Sequence, residues 1–142
     1  MKKYINYATI YAGAALVGGV FYREFTKFNN FTGETMLGKV HTHLFVLGMI
    51  VFLLVALFSD KYDLKAQKTF KIFERTYNPG LILAVTMMVV RGTLQVLGTP
   101  LSSGVSAAIS GVAGIGHLLL GIGILHLLLT LRRVTKEQEA KA

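Results

Sequence analysis

The chain has 142 residues, 53% of them hydrophobic and 15% charged, with a mean hydropathy of +0.55. That balance is too apolar for an ordinary soluble domain of this size. The formal net charge is +8 and cysteine is absent, so neither a disulfide nor a thiolate metal site is available.

Four stretches have the length a bilayer demands, about 20 residues across about 30 Å of hydrocarbon. They run approximately over 5–22, 40–58, 80–98 and 105–131. Open strands are excluded there, because unpaired backbone groups cannot face lipid. The expectation is an all-α, four-helix transmembrane bundle forming one integral membrane domain over residues 1–142.

The first span follows Lys2 and Lys3. Its apolar core is longer than that of a secretory signal and no small-residue cleavage site precedes the polar stretch after it, so it reads as a retained helix. The outer connection, Asn29-Asn30-Phe31-Thr32-Gly33-Glu34, is a turn leading to a helix start, with Thr32 or Thr35 as candidate caps.

The second span begins with His41-Thr42-His43. After it, Tyr62, Ala66, Phe70, Phe73 and Tyr77 share one side of a helical wheel among lysines, which suits a helix lying in the headgroup layer. The alternation Phe70-Lys71-Ile72 also permits a short strand. Asn78-Pro79 reads as the start of the third helix, a capping side chain followed by a residue whose missing N–H is harmless at the first position.

The charge is distributed by connection. Basic residues gather at the N-terminus, in the second connection (Lys61, Lys65, Lys68, Lys71, Arg75) and in the tail (Arg132, Arg133, Lys136, Lys141), whereas the third connection has none. By the positive-inside rule both termini face the cytoplasm, in a multi-pass protein of the bacterial cytoplasmic membrane. Positive charge so placed reports topology and attraction to anionic lipid, and nucleic acid is not expected as a partner.

The spans contain four histidines. Imidazole buried in hydrocarbon is costly without a partner, so an intramembrane histidine is a functional-site hypothesis. Counted at 1.5 Å per residue, His43 and His117 lie about 21–23 Å from the inner boundary and His41 about 25 Å, while His126 lies about 8 Å away. The first three share a level in the outer half; His126 does not. His41 and His43 point to opposite sides of their helix, His41 with Phe45 and Gly48, His43 with Val46 and Leu47. His117 shares its side with Ser110, Gly114 and Gly121.

Two imidazoles from two helices at one level, flanked by small residues, are the parts of a bis-histidine b-type haem site in a four-helix bundle. Arg91, about 15 Å up the third span, and Gln95 one turn further are the expected propionate contacts, since no Asp or Glu lies within a span as drawn here. Met49, Met87 and Met88 read as core filler. Small residues four apart, Ala8 with Ala12, Ala15 with Gly19 and Ser110 with Gly114, let helices approach closely inside one bundle or between the two protomers of a homodimer.

The run His41-Thr42-His43-Leu44-Phe45-Val46-Leu47-Gly48-Met49, with Tyr77-Asn78-Pro79-Gly80-Leu81, Arg91-Gly92 and Gly116-His117, resembles a family of small four-helix bacterial membrane proteins known only as a domain of unknown function. The resemblance covers nearly the whole chain and implies architecture without activity. The second span is also similar to the helix of haem–copper oxidases and nitric oxide reductases that begins His-Thr-Asn and carries the low-spin haem ligand. That likeness implies His41 as ligand, with His43 in place of the asparagine; aligned on His-Leu-Phe-Val it implies His43 instead. This chain has too few helices, and no histidine set, for an oxygen-reducing centre.

The expected cofactor is therefore haem b, held by His117 together with His41 or His43, with His41 preferred for its glycine-lined side. Gly48, Gly114 and Gly121 would face the plate. The expected roles are electron transfer with a redox partner or quinone, binding of nitric oxide or oxygen, or haem handling. The alternative is a non-haem protein, either a metal-ion binder using His41, His43 and His117 or a helix-packing subunit of a larger complex.

Overall fold

A computed structural model describes residues 1–140. Four helices are each long and apolar enough to cross a membrane: α1 (Lys2–Phe28), α2 (Leu37–Lys61), α3 (Lys68–Val96) and α4 (Ser103–Glu139). No strand forms among the described residues. The fold is a four-helix membrane bundle, as the hydrophobic spans require.

The turns have identifiable causes. α1 ends with Asn30 in the left-handed region at φ 48°, a conformation asparagine tolerates, and the N–H of Phe31 then donates back to the Thr26 carbonyl at 2.9 Å. α3 ends the same way through Gly98 at φ 62°, with the N–H of Thr99 on the Leu94 carbonyl at 3.1 Å. Ser102 caps α4, its Oγ accepting from the N–H of Val105.

Each helix is longer than its hydrophobic stretch. α4, at 37 residues, extends about 55 Å and so projects beyond the hydrocarbon. The larger correction concerns α3, which starts at Lys68 rather than at Pro79 and has Pro79 in its interior. Phe70 and Phe73 are fully buried and Tyr77 nearly so. Their burial against α1 and α2 outweighs the single backbone bond that Pro79 removes. The segment thus enters the core as part of one continuous membrane-length helix, rather than as a separate surface helix or a strand, and only a short 3-10 turn, Leu64–Ala66, separates it from α2. Thr35 is buried: its hydroxyl donates to the Gly92 carbonyl and accepts from the N–H of Leu37.

Neighbours pack in chain order. α1 lies on α2, α2 on α3, and α3 along the length of α4, while α2 and α4 make little direct backbone contact. Lys3 meets Glu74, and Gln67 meets Glu137. The start of α1, the α2–α3 connection and the end of α4 therefore share one lysine-rich end.

The core is aromatic toward that end, where Phe52 stacks on Tyr11 at 5.7 Å between ring centroids and meets Tyr77 edge-on at 5.9 Å. Along the α3–α4 seam the helices touch through glycine. A Cβ on Gly116 would lie 2.7 Å from the Ala84 nitrogen, and one on Gly80 would lie 2.8 Å from the Leu120 nitrogen. Close approach of this kind is how membrane helices gain packing energy when lipid supplies no hydrophobic drive.

Candidate functional site

His43 ends the first α-helical part of α2, and the next seven residues, Leu44–Ile50, form a π-helical turn. Such wide turns recur at functional sites because they re-aim the side chains around them. His43 points toward α4, where its ring meets that of His117 with centroids 6.4 Å apart and planes at 84°. The expected shared level of these two histidines is therefore seen as a direct juxtaposition across the gap between α2 and α4.

Both rings are anchored alike. His43 Nδ1 lies 2.9 Å from the Lys39 carbonyl, and His117 Nδ1 lies 2.8 Å from the Ala113 carbonyl. A carbonyl can only accept, so each Nδ1 donates its proton there, and Nε2 is the nitrogen left to bind a metal when the ring is neutral. His117 is exposed at the side of α4, and Cβ atoms added at Gly114 or Gly121 would meet nothing within 4 Å. One turn to either side of His117 the helix surface is therefore flat and open.

His41, the ligand preferred from its glycine-lined side, is elsewhere. Its ring packs against Gly19 of α1, and its Nδ1 is buried without a hydrogen-bond partner. Gly48 shares that side, as the wheel anticipated, but the side belongs to α1: a Cβ on Gly48 would sit 2.5 Å from the Tyr11 ring. The glycine seats a helix rather than a plate. With His41 turned away, the three-histidine metal site is not formed, and among the described residues no group of three His, Cys, Asp or Glu side chains converges.

Arg91 reaches α4, where one guanidinium nitrogen donates to the Ser106 carbonyl at 3.0 Å and to Ser110 Oγ at 2.7 Å. Ser110 is two turns, about 10 Å, from His117 on the same face of α4. Gln95 is engaged with the α1–α2 loop, its Oε1 accepting from the N–H of Met36 at 2.9 Å. It does not share the contact of Arg91 with α4. His126 stands apart, with its Nδ1 on the Ile122 carbonyl. Met88 is buried in the core, the filler role expected of it.

The chain belongs to the family described as a protein of unknown function, DUF2871. Its match covers residues 1–134. No curated protein and no solved structure matches the chain. Membership in DUF2871 agrees with the resemblance carried by the His41–Met49 run and the Asn78-Pro79 segment.

A second polar cluster was not anticipated. The early start of α3 brings Glu74 into its second turn, where the carboxylate accepts from Lys3 Nζ and Tyr4 OH, both at 2.9 Å. A carboxylate thus lies within a membrane-length helix after all. One turn on, Asn78 Oδ1 accepts from Tyr11 OH. Lys3, Tyr4, Glu74 and Asn78, with Tyr7, Phe52 and Phe73, line a cavity of about 20 Å³, enough for one water molecule. Lys3 and Glu74 are 71 residues apart, so no local spacing could reveal the pairing. The small-residue seam was more accessible: Gly80 with Ala84, and Gly116 with Gly123, stand at helical intervals.

Proposed function

We propose that the α2–α4 gap is a b-type haem site, with His43 and His117 as axial ligands. The observation that carries this reading is the 6.4 Å separation of two rings whose Nδ1 atoms are both committed to backbone carbonyls. Metal–imidazole bonds of about 2 Å, with a little over 1 Å from nitrogen to ring centre on each side, place the centroids of two axial ligands about 6 Å apart. The open surface at Gly114 and Gly121 leaves room for a plate beside His117. A bare ion would find only two protein ligands here.

When bound, haem would supply reversible one-electron or gas chemistry in the outer half of the membrane. Arg91 is the cation best placed for a propionate, through the nitrogens not committed to Ser106 and Ser110. The charge asymmetry supports a cytoplasmic location for both termini, in the cytoplasmic membrane of a bacterium.

The test is purification of the full chain from haem-sufficient cells, followed by haemin titration and a pyridine haemochrome assay. The reading expects about one haem b per chain and a sharp Soret band. A preparation that stays colourless and does not change the haemin spectrum overturns it.

A further inference from the structure

Resting on that haem reading, the geometry points to a closed centre: we propose that His43 and His117 occupy both axial positions with nearly perpendicular planes, so that the site carries electrons and takes no diatomic gas. The same bond restrains each ring, from Nδ1–H to the carbonyl one turn back, on α2 at 2.9 Å and on α4 at 2.8 Å. To open a coordination position, a ring would have to swing away and give up its N–H bond to that carbonyl, a bond for which surrounding hydrocarbon offers no substitute. A polar group stranded in hydrocarbon costs several kcal/mol. Neither side is therefore a ready vacancy.

The angle adds an electronic consequence. Each helix fixes its own ring, and the two planes stand at 84°. Parallel axial imidazoles split the iron orbitals that mix with ligand π orbitals, giving a rhombic low-spin ferric signal. Perpendicular planes leave those orbitals nearly degenerate and spread the g values much further. A six-coordinate iron flanked by two imidazoles is low-spin in both oxidation states and needs little rearrangement on gaining an electron. That favours electron carriage over gas binding. His41 cannot replace His43, because its ring is packed on Gly19 of α1.

The experiment uses the full chain, loaded with haem in lipid nanodiscs, and reads the ferric spectrum by electron paramagnetic resonance. Carbon monoxide is then added to the dithionite-reduced protein. The expected results are one broad low-field feature of a highly anisotropic low-spin centre and no shift of the Soret band. His43→Ala should become high-spin and bind carbon monoxide. If it releases haem instead, added imidazole should restore the low-spin spectrum. A rhombic or high-spin ferric signal from the unmodified chain, carbon monoxide binding by it, or failure of imidazole to restore a folded variant overturns the closed centre. A chain that never takes up haem overturns the site itself, which the titration reads separately.

Discussion

Two classes of glycine on α4 make a sharp test of the packing. Gly116 faces α3, and an added Cβ would meet the Ala84 nitrogen at 2.7 Å and its Cα at 3.0 Å. Both obstacles are backbone and cannot swing aside, so Gly116→Ala must push the helices apart by roughly 0.8 Å to restore an ordinary contact of about 3.5 Å. A gap of that size forfeits about a third of each affected contact, each worth about 0.15 kcal/mol. Over a seam with about 40 such pairs, comparable to one buried leucine, the loss is about 2 kcal/mol.

Gly114 is the control, with nothing within 4 Å of its Cβ position. Gly114→Ala should gain up to about 1 kcal/mol from helix propensity. That gain applies equally to Gly116→Ala, so the two variants should differ by about the whole seam loss of 2 kcal/mol. Reversible unfolding in mixed detergent micelles, followed by far-ultraviolet circular dichroism, measures the difference. Equal stability of the two variants would refute the glycine seam.

Other expectations follow from the same contacts. Gly114→Leu and Gly121→Leu should insert and fold, because nothing crowds either position, yet lower haem affinity at least about tenfold by filling the space of the plate, equivalent to about 1.4 kcal/mol; unchanged titrations would place the plate elsewhere. Arg91→Leu should weaken haem binding without loss of insertion, since removing an arginine from mid-membrane relieves about 2.5 kcal/mol. Identical haem affinity would leave Arg91 as a tie between α3 and α4 through Ser106 and Ser110. Tyr11→Phe strips Asn78 Oδ1 of its donor and should cost about 1–3 kcal/mol in the same unfolding assay; a neutral effect would mean that water replaces the hydroxyl.

Much of the architecture was legible because the bilayer imposes one length and one hydrogen-bonding solution on each span. The depth of His43 and His117 followed from a 1.5 Å rise alone, and it agrees with their juxtaposition. Facing was less accessible. The wheel correctly grouped His41 with Gly48, but nothing in one sequence says which neighbour a given side meets; Gly19 and Tyr11 of α1 occupy it. The start of α3 was not legible, because Asn78-Pro79 has the local chemistry of a helix beginning, while tertiary burial of Phe70, Phe73 and Tyr77 carries the helix through it. The Lys3–Glu74–Tyr4 cluster became visible only once that correction placed Glu74 beside α1.

The central claim is that His43, rather than His41, faces His117 as the second haem ligand. Parallel haemin titrations of His41→Ala, His43→Ala and His117→Ala, each checked for insertion and fold, test it most directly. The account predicts that His41→Ala retains stoichiometric, low-spin haem, whereas His43→Ala and His117→Ala each lose the low-spin spectrum. Loss of that spectrum in His41→Ala with its retention in His43→Ala would contradict it.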